Sequence, residues 1–486
     1  MRRHDKPLPK LPEVPEVPDR PASSPAPCVL GPYSIEVITP MVGGGARSRL
    51  PDPVSVVRPQ SVRGHLRFWW RVTEGAKYDT VAEMRKAEAA IFGSTTGASV
   101  IGIRVSEVAV GIPLSNGIPK YAAFPFRGTQ NATSVPQAPV IFYSKVSFRL
   151  ELVFVSQQLD VSNGVVGSLK NALRAWVNFG GIGARTRRGF GALHCDSLAF
   201  QSEEDVFGWL GQFGPANLSK RSIDLAAAKD FCRFINFDCP EGVEPVFNAW
   251  ASAVTDLQMF RQGGGIGRRV GTPAKPGRSL WPEAEAIRNL VCDTQSLLRE
   301  QIEIGEKVTN KVTGRKEWTS TGGHHVKESW PGLGPMPPVF LPRAAFGLPI
   351  TIEIRDERIA GADNHIKAVL HAGCLFEQQN KKVGKELGDR LASPLIIRPI
   401  KLGGEAVAMY LALNSPTPDG VWVKPSKSKN DLKEPRFVSW DSVVNAKLHQ
   451  YQTNGRLREE SPMNGRSTSG DAIEAFIAFL DESIQS

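Results

Sequence analysis

Apolar and polar residues alternate over several segments in the first half of the chain. In VSFRLELVFV the apolar residues share one face, which predicts a half-buried strand; they are Val146, Phe148, Leu150, Leu152 and Phe154. Three further segments alternate less regularly and also predict strands: YSIEVIT from Tyr33, SVIGIRV from Ser99 and ALHCDSLAF from Ala192.

Segments with helical spacing lie between these strands. SVRGHLRFWWRV begins at Ser61, a residue type that caps helices, and a second helical segment covers about Asp79 to Phe92. A third segment has apolar residues at helical spacing, namely Val166, Leu169, Leu173, Trp176 and Val177. The predicted order is strand, helix, strand, strand, helix, strand, which is typical of a ferredoxin-like (RRM-like) unit.

The second half of the chain is less regular. Residues 204–262 are predicted to be mostly helical, LPITIEI and AVAMYLAL to be strands, and residues 305–330 and 415–465 to be polar loops. A final amphipathic helix is expected to pack on the body through Ile473, Phe476, Ile477 and Leu480. The proline-rich residues 1–32 are expected to form an extended, disordered tail, and residues 1–30 are expected to be dispensable for folding.

The composition favours a protein with an anionic partner. The chain has 486 residues, enough for two to three domains, and a formal net charge of +10. A basic surface without any partner is the simpler alternative. No apolar run reaches the ~18 residues of a membrane span, and the six cysteines form no CxxC pair. We therefore expect a cytoplasmic protein that does not contact membranes.

The most unusual segment is GGIGARTRRGFG, residues 180–191, because glycine is costly to order and rarely clusters without a geometric reason. It is not a P-loop, since it contains no lysine, and Thr186 stands where a dinucleotide fingerprint needs its third glycine. Its arginines suit phosphate oxygens, and we expect Arg187 and Arg188 to be exposed. Phe190 either stacks on a base or anchors the loop in the core. The glycines expected to shape the loop are Gly180, Gly181, Gly183, Gly189 and Gly191.

Further arginines extend this basic region. Arg63, Arg67 and Arg71 form one stripe on the first helix, which needs either an anion or an acidic partner such as Glu36 or Glu74. Separate basic clusters on glycine-rich loops are more typical of a nucleic-acid track than of a small-molecule pocket. The predicted RNA-binding residues are Arg63, Arg67, Arg71, Arg127, Arg185, Arg187, Arg188, Phe190, Arg268, Arg269 and Arg278.

The sequence offers few residues that could act together in catalysis. His65 on the arginine-rich helix could act as a general acid or base in RNA cleavage, and Asp52 could assist, but no second base stands out. A structural histidine and a turn-forming aspartate are the simpler interpretations. The adjacent His324 and His325 lack the spacing of a metal site. We expect no catalytic activity, no metal, no cofactor and no small-molecule substrate.

These motifs, in their order along the chain, resemble the RAMP superfamily of CRISPR proteins, and within it the first RAMP subunit of type III-B (Cmr) effector complexes. The strings that carry the resemblance are ITPMVGGG, SVRGHLRFWWR, AAIFGST, FPFRGT and GGIGARTRRGFG, then RSLWPEAEAIR, LPRAAFGLPI and DRLASPLIIRPI. The resemblance covers most of the chain from Tyr33 to about Asn414. It leaves the proline-rich tail and residues 415–465 unmatched.

The resemblance implies an α+β fold with two ferredoxin-like RAMP domains, over residues 33–203 and 204–486. It also implies a non-catalytic subunit that holds the 3′ part of the guide RNA (crRNA) in an antiviral ribonucleoprotein. Target RNA and the sister RAMP subunits would be its other partners. One alternative is a metal-independent RAMP endoribonuclease that processes guide precursors with His65 as general acid or base. Another is a general RNA-binding protein outside CRISPR.

Overall fold

The structure, a computed structural model, describes most of the chain. The described residues are 28–45, 50, 52, 54–114, 117–126, 140–154, 163–214, 223–272, 277, 279–281, 283, 307–309, 316–318, 341–355, 365–378, 381–386, 390–415, 417–425, 436–440 and 461–485. Several predictions concern residues outside these ranges, namely most of the tail, Arg127, Arg278, and the pair His324 and His325.

Strands and helices are both numerous among the described residues. The strands are β1 Val29–Val37, β2 Met41–Val42, β3 Ile101–Ala109, β4 Pro113–Leu114, β5 Phe142–Tyr143, β6 Val146–Phe154, β7 Leu193–His194, β8 Cys232–Ile235, β9 Lys307–Thr309, β10 Lys316–Trp318, β11 Ile350–Arg355, β12 His365–Gln378, β13 Lys381–Glu386, β14 Leu395–Leu402, β15 Glu405–Ala412, β16 Gly420–Pro425 and β17 Arg436–Ser439. The helices are α1 Pro59–Thr73, α2 Val81–Phe92, α3 Asn163–Phe179, α4 Glu203–Leu210, α5 Leu225–Ala228, α6 Pro245–Gln262 and α7 Ala472–Gln485.

The first sheet contains four antiparallel strands in the order β3-β6-β1-β7. Every second residue of β6, starting at Val146, is buried, as the alternation predicts. α1 and α3 cover this buried face, because Leu66 and Trp176 belong to the same core as Leu150. Within this sheet and its helices the elements follow the predicted order of strand, helix, strand, strand, helix and strand.

Two elements of the first unit begin earlier than predicted. β1 starts at Val29 instead of Tyr33, and Gly31, at a φ of 113°, accompanies a shift of its register against β6. The sheet therefore includes residues 29–32, which the proline pattern assigned to the tail. α1 starts at Pro59 instead of after Ser61, since proline suits the first turn of a helix, where its missing N–H is not needed.

The second sheet, with the order β14-β15-β8, lies between two cores. On one face Ile396 and Met409 join the core of the first sheet. On the other face Ile397 and Tyr410 pack with residues of α6 and α7. α7 is the predicted amphipathic helix, and its four predicted contact residues are all buried. The prediction of helix for the segment at β8 is wrong, because Cys232–Ile235 pairs with β15.

A third sheet consists of β11, β12, β16 and β17 in that order, with β13 also paired to β12. β11 was expected, whereas β16 and β17 lie in the region that we expected to be a polar loop. Val421 of β16 and Val438 of β17 are buried with Leu370 of β12 in a small core that belongs to this sheet.

The first core also continues past the predicted domain boundary at residue 203. α4 spans this boundary, and its residues Val206, Trp209 and Leu210 pack in the core of the first sheet. The second sheet contributes to the same core through β14 and β15. The division of the chain into two domains at this position stays a prediction.

Arg398 joins the second sheet to the end of α3. Its side chain is fully buried, and the guanidinium donates hydrogen bonds to the carbonyl oxygens of Val177 at 3.0 Å, Gly180 at 2.5 Å and Leu193 at 2.6 Å. Carbonyl groups at the C-terminal end of a helix lack partners within the helix and carry its partial negative charge. Burial lowers the pKa of Arg398 to about 9, so the guanidinium is charged at neutral pH.

We predict that Arg398→Met destabilises the protein by at least about 3 kcal/mol, because it leaves buried carbonyl groups without donors. Lys401→Met, on the same strand, is the control. Lys401 makes only a long ion pair of 3.6 Å with Glu36, so its loss should cost less than about 1 kcal/mol. Chemical denaturation of both variants measures the difference, and equal midpoints would show that the Arg398 contacts do not stabilise the fold.

Candidate nucleic-acid interface

The glycine loop, residues 180–191, is shaped by contacts within the protein. Positive φ angles of 87°, 79° and 59° occur at Gly183, Gly189 and Gly191. A Cβ atom at Gly189 would lie 2.4 Å from the Trp250 ring, and one at Gly191 would lie 2.0 Å from the carbonyl oxygen of Ile182. The glycines therefore let the loop pack on tryptophan and on its own backbone.

The first two glycines of the loop are confined in the same way. A Cβ atom at Gly180 would lie 2.5 Å from the carbonyl oxygen of Trp176, and one at Gly181 would lie 2.8 Å from that of Gly191. Both positions follow directly after α3, where the chain turns back towards β7. Contacts within this chain thus explain why each of these loop positions is a glycine.

The loop arginines are half-buried where the loop meets β14. The Arg188 guanidinium donates to the carbonyl oxygen of Leu395 at 2.8 Å and to the hydroxyl of Ser393 at 3.0 Å. The Arg187 guanidinium donates to the carbonyl oxygen of Ser393 and lies 5.8 Å from the centre of the Phe68 ring. The expectation that these two arginines are exposed is therefore wrong, because the loop packs against the start of a strand.

Four arginines come together at this junction, and we call them the cationic cluster: Arg185, Arg187, Arg188 and Arg261. Burial, and then the neighbouring charges of Arg261 and Arg185, lower the pKa of Arg188 to about 9. Burial also lowers the pKa of Arg185 and of Arg187. The Nε atoms of Arg185 and Arg261 are buried and lack a hydrogen-bond partner.

Among the described residues, no carboxylate forms an ion pair with the three loop arginines of this cluster. Like charges that are held together and partly removed from water repel each other, and a nearby anion relieves that repulsion. The cationic cluster is therefore suited to an anionic partner.

Phe190 lies in the core and has no exposed surface. Its ring centre is 4.9 Å from that of Trp250 and 5.8 Å from that of Phe142. In this position Phe190 anchors the glycine loop and is not available to stack on a base.

The arginine stripe of α1 has an acidic partner on α2. Glu88 accepts a hydrogen bond from Arg67 at 2.6 Å and two from Arg71 at 2.8 Å and 2.7 Å, and its side chain is only 3% exposed. Burial acts to raise the pKa of Glu88, but the hydrogen bonds from Arg71 and Arg67 lower it further than burial raises it. The partner is thus Glu88, and not Glu36 or Glu74 as we considered from the sequence.

The third arginine of the stripe connects three elements. Arg63 donates to the carbonyl oxygen of Phe92 at the end of α2 and to that of Ile101 at the start of β3. Arg67 faces α2, whereas the next residue, Phe68, faces Arg187 of the glycine loop. The stripe and the cationic cluster therefore lie on different sides of α1.

The second glycine-rich loop, residues 263–271, follows α6. The Arg268 amide donates to the carbonyl oxygen of Gly263 at 3.0 Å, and the Gly265 amide donates to that of Arg268 at 2.7 Å, which closes a tight turn. Arg261 of the cationic cluster lies two residues before this loop. Arg268 and Arg269 are both half-buried here, while Arg127 and Arg278 lie outside the described residues.

The two candidate catalytic residues make contacts within the fold. His65 stacks on Trp176 with ring centres 5.8 Å apart, and burial lowers its pKa to about 4. A neutral imidazole cannot act as a general acid near pH 7. Asp52 accepts hydrogen bonds from the amides of Val54 and Ser55 at 3.0 Å and 2.9 Å, which is the geometry of a turn.

Two further absences concern only the part of the chain that the structure describes. There, no group of three or more His, Cys, Asp or Glu side chains is placed to hold a metal ion. Likewise, no described helix combines the length and the apolar character that crossing a membrane requires.

Three charged residues that the sequence interpretation missed are central to this arrangement: Glu88, Arg261 and Arg398. Arg398 had a visible signal, since an arginine inside the apolar run LIIRPI must find polar partners when the strand is buried. Glu88 and Arg261 had none, because each meets its partners through contacts between elements that are distant in sequence.

Comparison with known proteins identifies the first part of the chain. Residues 34–194, which include the glycine loop, match the family model of the RAMP superfamily. This match confirms the superfamily resemblance for the motifs from ITPMVGGG to GGIGARTRRGFG, which lie within these residues. No curated protein sequence matches the chain.

Two solved structures are similar to the chain as a whole. Cmr1 from Pyrococcus furiosus in its apo form has 13% identity and a TM-score of 0.37, with 87% of this chain and 95% of that chain covered. A chain of the type III-B Cmr-beta complex bound to cognate target RNA has 11% identity and a TM-score of 0.37, with coverages of 80% and 94%. TM-scores this low carry no argument about function.

We predict that Gly189→Ala destabilises the protein by about 3 kcal/mol or more, because the methyl group meets Trp250 at a positive φ angle. Gly208→Ala is the matched control, since a Cβ atom there meets nothing within 4 Å and the residue lies inside α4. The control should be neutral or stabilising by up to about 1 kcal/mol. Thermal unfolding of both variants tests this, and a wild-type midpoint for Gly189→Ala would contradict the packing described for the loop.

Proposed function

We propose, on the premise that residues 34–194 carry a RAMP-superfamily domain, that the chain is a non-catalytic RNA-binding subunit of a type III-B CRISPR (Cmr) ribonucleoprotein. In this role it holds the 3′ part of the crRNA for antiviral defence. Sister RAMP subunits and target RNA are its other partners, and the complex works in the cytoplasm.

The cationic cluster is the observation that carries this proposal. It places four guanidinium groups at the junction of the glycine loop, β14 and α6, and the described residues offer the loop arginines no carboxylate. Arginine recognises phosphate oxygens through several directed donors, so an RNA backbone is the anion that suits a cluster of this size. The net charge of +10 adds attraction at longer range.

The arrangement of strands supports a ferredoxin-like interpretation. In the first sheet the strand that follows α1 and α2 lies at one edge, and the last strand lies at the other, in the order β3-β6-β1-β7. We extend this interpretation to β8, α6, β14 and β15, in which a helix covers one face of a smaller antiparallel sheet.

The alternative, an endoribonuclease that uses His65, has less support. Its imidazole is stacked on Trp176, and burial lowers its pKa to about 4, so it is neutral at physiological pH and cannot serve as a general acid there.

We predict that the purified protein binds single-stranded RNA with an affinity that falls steeply with salt, because each phosphate contact releases counterions. Arg185→Gln and Arg261→Gln should each weaken binding and make the log–log salt slope shallower by about 0.7, the share of one contact. Lys170→Gln, on the exposed side of α3, is the control and should leave the slope unchanged. If all three variants had the wild-type slope, the cluster would not contact phosphate.

We also predict that the protein does not cleave RNA. Guide precursor and guide-complementary target RNA should remain intact after incubation with the protein, both with and without magnesium. Gel analysis of labelled RNA measures this. Cleavage that disappears in His65→Ala would contradict the non-catalytic role and support the endoribonuclease alternative.

A further inference from the structure

A cavity of about 660 Å³ opens beside the arginine stripe, between α1, α2 and the loop that follows α2. The lining side chains that carry charge or hydroxyl groups include Arg63, Arg67, Arg71, Arg85, Ser94 and Thr95. Glu88 is the one acidic residue of this lining. The cavity therefore has four guanidinium groups against one carboxylate.

Glu88 does not neutralise the cavity. Its two oxygens are occupied by the side-by-side donors of Arg67 and Arg71, and it is almost fully buried behind them. Arg85, one turn earlier on α2, is exposed, and the ion pairs of the described residues do not include it. A positive charge remains on the open side of the cavity.

The donors that remain free lie on different walls. Arg85 projects from α2, the outer N–H groups of Arg67 belong to α1, and the Thr95 hydroxyl belongs to the loop. Gly93, at a φ of 80°, turns this loop back towards the cavity, and the Ser94 amide closes it by donating to the carbonyl oxygen of Gly97 at 2.8 Å.

The shape of these donors selects the kind of anion. A carboxylate has two oxygens in one plane and suits the parallel donors that Glu88 already uses. A phosphate has oxygens in several directions, so it can accept hydrogen bonds from three walls at once. A volume of about 660 Å³ also leaves room for the ribose attached to that phosphate.

We propose that this cavity binds one phosphate group of an RNA strand, with Arg85, Arg67 and Thr95 as its donors. The site is separate from the cationic cluster, which lies on the other side of α1. The proposal rests on the proposed function, since it names RNA as the source of the phosphate.

The test compares two charge reversals on neighbouring residues of α2 in the full-length protein. Arg85→Glu changes the cavity, whereas Lys86→Glu changes an exposed residue outside its lining. The thermal unfolding midpoint is measured at increasing millimolar concentrations of inorganic phosphate and at constant ionic strength. A ligand that binds the folded state raises this midpoint. The wild type and Lys86→Glu should respond equally. Arg85→Glu should lose the part of the response that the cavity contributes, because its affinity for phosphate at this site falls about tenfold, while the cationic cluster is unchanged. If phosphate raised the midpoints of the two variants equally, the proposed site would be wrong.

A second measurement identifies the source of the phosphate. Titration with a single-stranded RNA oligonucleotide should show a loss of affinity in Arg85→Glu and none in Lys86→Glu. If the phosphate response depends on Arg85 but RNA affinity does not, the assignment to RNA is wrong. An oligoglutamate peptide that protects the wild type better than inorganic phosphate does would overturn the proposal in favour of an acidic protein partner.

The two measurements also separate this proposal from the proposed function. If RNA binding depends on salt but both variants respond equally to phosphate, only the cavity proposal is contradicted. If the protein does not bind RNA but its phosphate response requires Arg85, the proposed function and the assignment to RNA are both contradicted.

Discussion

The position of the glycine loop depends on one buried cation. Arg398 crosses from β14 to the carbonyl groups of Val177 and Gly180 at the end of α3, where the loop begins. A charge in the core is tolerated only if it is fully compensated, and here helix-end and loop carbonyls compensate it instead of a carboxylate. Because α3 holds the first of these carbonyls and leads directly into the second, Arg398 ties the second sheet to the point where the glycine loop begins.

This docking explains why glycines and arginines of the loop have different roles. The glycines let the backbone pass against Trp250 and its own return strand, so their effect on RNA would be indirect. Arg187 and Arg188 use part of their donors on the start of β14, which fixes them in place. Held in this way, they form a positive cluster with Arg185 and Arg261. Under the proposed function, this fixed position lowers the entropy cost of binding a phosphate.

Local patterns predicted the elements that have one buried face, such as β6 and α7, because their side chains repeat with the period of the element. They failed at β8, where four residues become a strand only by pairing with β15, far along the chain. The site shows the same limit. The sequence predicted the stripe of arginines on α1. It could not predict its partner Glu88, or Arg261 as a neighbour of Arg188, because these contacts depend on how separate elements pack.

We propose that the cationic cluster contacts RNA inside an assembled ribonucleoprotein. It is tested most directly by purifying the tagged chain from its native host, cross-linking bound RNA with ultraviolet light, and identifying the linked peptides by mass spectrometry. We expect a guide RNA, sister RAMP subunits, and cross-links in the glycine loop and in residues 261–271. A complex whose RNA cross-links to this chain only outside these segments, or a chain recovered without RNA, would contradict it.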